Sequence, residues 1–189
     1  MNIFILDQNV ELSAQWHVDR HIVKMPLEMA QMLCTNLYVL NGMTSKAQSF
    51  RQEDKVQEIF KNFPKRKENS TRVRDYYMIY NPKHPCTIWL RESVENCKYG
   101  LHLFSELLKE YQFRYRRSGI LREVCEWMKE NYDFSLFNKV ESTPFVQALP
   151  EELKSDDAVE SYRKYYIRDK SHIAKWTDRE SPEWWINNR

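Results

Sequence analysis

The scarcity of glycine constrains the fold of this chain more than any other feature of its sequence. Only Gly42, Gly100 and Gly119 occur among 189 residues. Three glycines cannot supply a dinucleotide-binding loop, a P-loop or the many tight turns of a β-sandwich or barrel. The sequence therefore predicts a mainly α-helical fold. With 42% hydrophobic and 14% aromatic residues, the chain can build a sizeable core, and we expect a single domain over residues 1–189.

Hydrophobic periodicity predicts a helical bundle arranged around one long N-terminal helix. This helix is expected from Val10 to about Leu40, with Pro26 as a point where it can bend because proline removes a backbone hydrogen bond. Residues 2–6 before it, with the sequence Asn-Ile-Phe-Ile-Leu, are expected to form a short strand or an extended buried arm. Further helices are expected over Cys86–Arg116, Ile120–Asn131 and Ala158–Trp176.

A polar stripe on the predicted first helix is the sharpest functional signal. At 100° per residue, His17, His21, Lys24 and Glu28 fall within about 60° of one another. The neighbouring apolar face covers more than half of the circumference, so the helix should be mostly buried and the stripe should be partly covered or line a cleft. That apolar face comprises Val18, Ile22, Val23, Met25, Leu27 and Met29.

Three interpretations of this stripe remain open. In the first it is a solvated face, and Asp19, which projects into the apolar side, pairs with an arginine from another helix because a buried carboxylate needs a partner. In the second, Lys24 beside two imidazoles and a carboxylate acts as a nucleophile or a base. In the third, His17 and His21 chelate zinc with a ligand from elsewhere. No third side chain that would complete a zinc site can be identified from the sequence, so no metal or other cofactor is predicted.

His84 gives a second signal, directly before the proline that opens a predicted helix. A side chain at that position lies where backbone N–H groups collect anions, which makes His84 a further candidate catalytic residue. The alternative is that His84 has only a structural role at the N-terminus of the helix.

Basic residues are unevenly distributed although the net charge is only +2. They concentrate in a loop around residues 61–74, at the end of the second long helix, and among the tyrosines near residue 165. Cations can neutralise phosphates while aromatic rings stack on bases, so we predict binding of DNA or a nucleotide. The alternative is a basic loop, a charged helix end and aromatic residues that pack in the core. The predicted contact residues are Lys65, Arg66, Lys67, Arg72, Arg74, Arg91, Arg114, Arg163, Tyr165, Tyr166, Lys175 and Trp176.

The cellular compartment is suggested by the cysteines and by the apolar runs. The four cysteines are widely spaced and form no C-x-x-C pair, as in intracellular proteins with reduced thiols. The longest early apolar run, Ile3 to Leu6, is too short for a membrane span or a signal peptide. We therefore expect a cytoplasmic protein without a membrane partner.

Several motifs are spread over nearly the whole chain. They include His17-x-Asp19-x-His21-x-x-Lys24-Met25, His84-Pro85-Cys86-x-x-Trp89, Tyr162-Arg163-x-Tyr165-Tyr166 and Pro182-x-Trp184-Trp185. In this combination the chain resembles a family of phage-encoded proteins. The resemblance implies a protein that acts in the host cytoplasm, and it implies no particular activity.

The layout is also similar, more remotely, to the phage pyrimidine-dimer DNA glycosylases with AP-lyase activity. Those helical single-domain enzymes have a short extended N-terminus, a first helix with a catalytic carboxylate just before Leu-Pro, and a Trp-Tyr-Lys-Tyr-Tyr stretch near the C-terminus. Met25-Pro26 and residues 162–166 correspond here. The chain departs from the pattern at Asn2, where those enzymes have the nucleophilic threonine, and at Lys24, where they have the carboxylate.

The resemblance implies an enzyme that extrudes a nucleotide and processes its base or sugar. Lys24 would form a Schiff base with the sugar aldehyde after base loss, Asp19 or Glu28 would stabilise positive charge at the sugar, and His17 and His21 would shuttle protons. The alternatives are a non-catalytic phage effector that binds a host protein or nucleic acid, and a metal-dependent hydrolase.

Overall fold

The computed structural model describes residues 2–65 and 75–188, and this part of the chain consists of helices, turns and extended segments without a β-strand. The predicted mainly α-helical fold is confirmed. The helices are α1 (Val10–Gln15), α2 (Asp19–Leu40), α3 (Lys46–Arg51), α4 (Glu53–Ile59), α5 (Pro85–Glu92), α6 (Val94–Tyr115), α7 (Ile120–Asn131), α8 (Ala158–Asp169) and α9 (Glu183–Ile186).

The segment before α1 is an extended arm, the second of the two forms predicted for it. Ile3 to Leu6 are almost completely buried. The arm is held by side chains and a loop: the Leu6 N–H donates to Ser13 Oγ at 3.0 Å, and the Asn2 side chain donates to the Ala148 carbonyl at 2.9 Å. The arm is therefore part of the core and carries Phe4 into it.

The predicted long first helix is interrupted, which corrects the expected continuous stretch from Val10. α1 ends at Gln15, and α2 begins at Asp19 and continues through Pro26 to Leu40. At the break the Asp19 N–H donates to the Lys175 carbonyl at 2.8 Å, so a distant segment takes the place of an intrahelical acceptor. His17 lies in this break and does not share a helix with the rest of the predicted stripe.

The predicted second long helix is also divided in two. Ser93 is extended, with φ −150° and ψ 162°, and separates α5 from α6. Its hydroxyl accepts from the Asn96 N–H at 3.2 Å, so Ser93 is the N-cap of α6. α7 has the predicted bounds, and α8 ends at Asp169, before the predicted end near Trp176.

α2 is the central helix of the bundle and packs against α5, α6 and α7. α5 and α6 approach each other closely at Gly100, because a Cβ at that position would collide with the side chain of buried Leu90. In the described residues no helix is both long enough and apolar enough to cross a membrane.

Candidate functional site

Three parallel rings join the arm, α2 and α8 at the inner edge of the candidate site. Phe4 stacks on His21 with ring centroids 4.6 Å apart and planes 4° apart. Tyr165 lies parallel to Phe4 at 6.2 Å and 17°, and the Lys170 ammonium lies 4.7 Å from the centre of the Tyr165 ring. The stack fixes His21 from two sides of the fold and places a cation at its outer end.

His21 is an almost buried, neutral imidazole. Its Nδ1 is hydrogen-bonded to the Tyr166 hydroxyl at 2.5 Å. Burial, together with the charges of His17, Lys170 and Lys24, lowers the pKa of His21 to about 3. Burial also raises the pKa of Tyr166 well above its ordinary value, so this pair carries no net charge at neutral pH.

Lys24 and Glu28 form an ion pair at the border between the surface and the interior. The Lys24 ammonium lies 2.9 Å from the Glu28 carboxylate, and the two side chains are 64% and 10% exposed. Burial lowers the pKa of His84, and the Glu28 charge opposes this effect. The same charge contributes to the raised pKa of Cys86, about 11, for which burial is the main cause. Lys24, Glu28 and His84 therefore lie in one electrostatic neighbourhood, as a shared site requires.

The outward face of α2 beside Lys24 is partly apolar, which corrects the predicted buried face. Val23 is 54% exposed and Leu27 is 38% exposed, although both were expected on the buried side. Arg20 is exposed as well and lies one turn before Lys24 on the same face. Two cations and two apolar side chains thus form one exposed strip, which we call the α2 strip (Arg20, Val23, Lys24 and Leu27).

His17 lies behind the site and has an internal role in this structure. Its Nδ1 is 2.7 Å from the Ser13 carbonyl, which identifies Nδ1 as the N–H donor of the neutral ring. Its Nε2 is buried and has no hydrogen-bond partner among the described residues. Burial lowers the pKa of His17 to about 4. The ring is 6.4 Å from that of His21, so it supports the cluster without reaching the surface.

Asp19 belongs to a buried ion-pair network, as the first interpretation of the stripe predicted. Its carboxylate accepts from Arg114 at 2.8 Å and from the Thr177 N–H and hydroxyl at 2.9 and 2.7 Å. Burial opposes ionisation, but these hydrogen bonds outweigh it and hold the pKa of Asp19 below its ordinary value. Arg114 also donates to Glu110 and to the Gln15 carbonyl, each at 2.7 Å. Asp19 therefore does not fit the catalytic role predicted for it, and Arg114 does not fit the predicted phosphate contact.

The aromatic and basic residues of α8 and the following segment pack mainly inward. Tyr166 and Trp176 are buried, and Trp176 donates to the Trp16 carbonyl at 2.9 Å. Arg163 pairs with Asp7 at 3.0 Å and lies over the ring of Trp16. For these residues the core-packing alternative describes the structure better than a nucleic-acid surface. Tyr165 is partly exposed and Lys175 is exposed.

The remaining predicted contact residues are divided by position. Lys65 is exposed. Arg91 is half-buried and donates to Asn36. Arg66, Lys67, Arg72 and Arg74 lie outside the described residues.

Two predicted chemistries can be compared with the donor geometry. Among residues 2–65 and 75–188, no three His, Cys, Asp or Glu side chains are grouped so that they could hold a metal ion. In addition, the Nδ1 atoms of His17 and His21 are taken by Ser13 and Tyr166. Imine formation needs an accessible amine beside a base, and the Lys24–Glu28 pair provides both.

An open cavity of about 920 Å³ lies away from this pair, with Trp89, Tyr99 and Phe145 in its wall.

Some residues of the site were not singled out from the sequence. Phe4 contacts the candidate site from the N-terminal arm, and Asn36 and Thr87 are buried polar residues between helices. Local spacing cannot indicate such pairings.

No protein-family model matches the chain, and no curated protein or solved structure is significantly similar to it.

Proposed function

We propose that this chain is a phage-encoded DNA glycosylase/AP-lyase-like enzyme whose reacting groups are Lys24 and Glu28. The observation that supports the proposal is the 2.9 Å contact between a largely exposed ammonium and a nearly buried carboxylate. Imine formation needs an amine that can reach a sugar aldehyde and a base that can take the proton of that amine. Lys24 and Glu28 have these two properties.

In the proposed reaction, Glu28 accepts a proton from the Lys24 ammonium, and the neutral amine attacks C1′ of a sugar that has lost its base. The carbonyl oxygen takes up two protons and leaves as water, so that an imine joins Nζ to C1′. Protonation of this imine makes the C2′ protons acidic. His84 takes one of them, and elimination then expels the 3′ phosphate. The amine returns when water hydrolyses the imine.

The predicted roles of the histidines change with the geometry. A proton carrier works best when its pKa is near the working pH. His17 and His21, with pKa values of about 4 and 3, remain neutral and are poor carriers. His84 is partly exposed and is coupled electrostatically to Glu28, so we assign the proton relay to His84. His21 is held in the ring stack and has a structural role.

The α2 strip supports a nucleic-acid substrate. Arg20 and Lys24 present cations suited to phosphates. Lys170 adds a third cation near this surface. The charges of Lys170 and Lys24 both lower the pKa of His21, so both ammonium groups lie close to that ring. Exposed apolar side chains at a DNA-binding surface can be inserted between base steps, a role open to Val23 and Leu27.

Borohydride trapping tests the proposal. Wild-type protein mixed with an abasic-site oligonucleotide and borohydride should give a covalent adduct, because borohydride reduces the imine to a stable amine. Lys24→Arg, which retains the charge, should bind DNA but give no adduct. Lys164→Ala is the matched control, since Lys164 also pairs with a glutamate one helical turn away (2.7 Å) but with both partners about half exposed. Absence of a wild-type adduct, or a wild-type yield from Lys24→Arg, would refute the proposal.

A non-catalytic effector is the second candidate, and the exposure of Val23 and Leu27 favours it. An apolar strip edged by cations also fits a protein partner. Salt-dependent DNA binding without an adduct would identify a nucleic-acid binder. Absence of both would favour a host protein as the partner.

A further inference from the structure

Arg91 is a half-buried arginine without an acidic partner among residues 2–65 and 75–188. Its one hydrogen bond within the described part of the chain goes from Nη1 to Asn36 Oδ1, at 3.1 Å. No carboxylate of the described residues lies within ion-pair distance of it. Burial lowers the pKa of Arg91 from its ordinary value. Buried charges in proteins are normally paired, so an unpaired guanidinium here is consistent with an anion supplied from outside.

Two fully buried side chains near Arg91 also have polar atoms without a partner in the part of the chain that the structure describes. They are Asn36, through Nδ2, and Thr87, through Oγ1. Thr87 lies one turn before Arg91 on the same side of α5, and Asn36 on α2 is the hydrogen-bond partner of Arg91. Unsatisfied buried polar atoms destabilise a fold. Three donor groups at the packed α2–α5 interface therefore suit a ligand that accepts hydrogen bonds from several directions.

We propose that Arg91, Asn36 and Thr87 form a binding site for a phosphate group. The guanidinium offers parallel N–H donors that match phosphate oxygens. The amide and the hydroxyl add neutral donors. A tetrahedral phosphate has oxygens pointing in several directions, whereas a planar carboxylate has only two oxygens. A nucleic-acid strand supplies this group if the proposed function holds, and a free phosphate or nucleotide is the other source.

The phosphate site is separate from the reaction site along the same helix pair. The charge of Glu28 acts on Cys86 at the start of α5, whereas Arg91 at the end of α5 contacts Asn36. Eight residues of α2 separate Glu28 from Asn36, which corresponds to about 12 Å along the helix axis. At about 3.4 Å per nucleotide of a duplex strand, a phosphate at Arg91 lies three to four nucleotides from the reacting sugar. This site would therefore bind a flanking phosphate.

Titration with inorganic phosphate at constant ionic strength tests the site directly. In ¹⁵N-labelled protein, the Arg91 Nε–Hε resonance, assigned by its loss in Arg91→Met, should shift and reach saturation. Thr87→Val keeps the shape of the side chain and removes only the hydroxyl, so it should fold normally and bind phosphate about tenfold more weakly. Arg51→Met is the control because Arg51 is exposed at the end of α3, and it should bind like the wild type.

A second arm identifies the source of the phosphate group. An abasic-site oligonucleotide that displaces inorganic phosphate from Arg91 supports a nucleic-acid strand as the source. Binding of phosphate without such competition supports the site and assigns it to a free phosphate or nucleotide. An Arg91 resonance that does not saturate, or unchanged phosphate affinity in Thr87→Val, would overturn the proposal. Failure of borohydride trapping with phosphate binding intact refutes the enzyme function alone.

Discussion

Mild acid is expected to destabilise this protein through His17 and His21. Burial lowers the pKa of His17 to about 4 and, with nearby positive charges, that of His21 to about 3. In the unfolded chain each imidazole has its ordinary pKa of about 6.5. The unfolded state thus binds more protons below pH 6.5. The stabilisation is present above that value and is lost as the pH falls toward the folded-state pKa.

The size of the effect follows from these two shifts. Between pH 7 and pH 5, each imidazole becomes protonated in the unfolded chain and remains neutral in the folded one, a difference of about 2 kcal/mol. Together they lower the free energy of unfolding by about 4 kcal/mol, a large part of the 5–15 kcal/mol typical of a domain. Asp19, whose pKa is below its ordinary value of 3.8, becomes important only at lower pH.

Urea unfolding followed by tryptophan fluorescence at pH 7, 6 and 5 measures this loss. His21→Phe keeps an aromatic ring next to Phe4 and removes one titrating group, so it should show about half of the pH dependence. His172→Gln, at an exposed position, is the control and should leave the dependence unchanged. Equal free energies of unfolding at pH 7 and pH 5 would refute the reasoning, as would ring resonances of His17 and His21 that titrate near pH 6.5.

Two further substitutions test the packing of the fold. Arg114→Met removes the buried cation that pairs with Asp19 and Glu110 and should lower the free energy of unfolding by about 3–5 kcal/mol. Arg168→Met, at an exposed position, should have a much smaller effect because surface ion pairs contribute little. Equal losses of stability in urea unfolding would contradict the buried network. Gly100→Ala places a methyl group against Leu90 and should cost about 1–3 kcal/mol, measured as a lower urea midpoint. An unchanged midpoint would mean that α5 and α6 can separate without cost.

The sequence predicts the helical character of this fold well because that information is local. Scarce glycine and apolar periodicity indicate helices, and α7 has its predicted bounds, Ile120–Asn131. The prediction that the two long helices are continuous is wrong, because each is divided into two helices. The break at Ser93 has a local signal, since Ser is a favoured N-cap. The break at Asp19 depends on the Lys175 carbonyl, which sequence spacing cannot indicate.

The candidate site is predictable only in part, for the same reason. His21, Lys24 and Glu28 share one helix, so their proximity follows from spacing. Tyr166 and Lys170 reach His21 from the other end of the chain, and no local pattern places them there. Whether Tyr166 stacks on a base or bonds to a histidine depends on which side of α8 faces the core.

The number of hydrogen-bond and ion-pair partners explains why some charged residues on and around α2 can bind a ligand and others cannot. Asp19 accepts three hydrogen bonds, and the cation beside it donates to three acceptors, so binding a ligand there would break existing contacts. Within residues 2–65 and 75–188, Arg91 has a single hydrogen bond, and Lys24 projects largely into solvent. A ligand at Arg91 can add interactions without replacing any described contact, and a ligand at Lys24 replaces the partly exposed ion pair with Glu28. We therefore expect substrate contacts where the fold leaves charges incompletely paired, at the two ends of the α2–α5 interface.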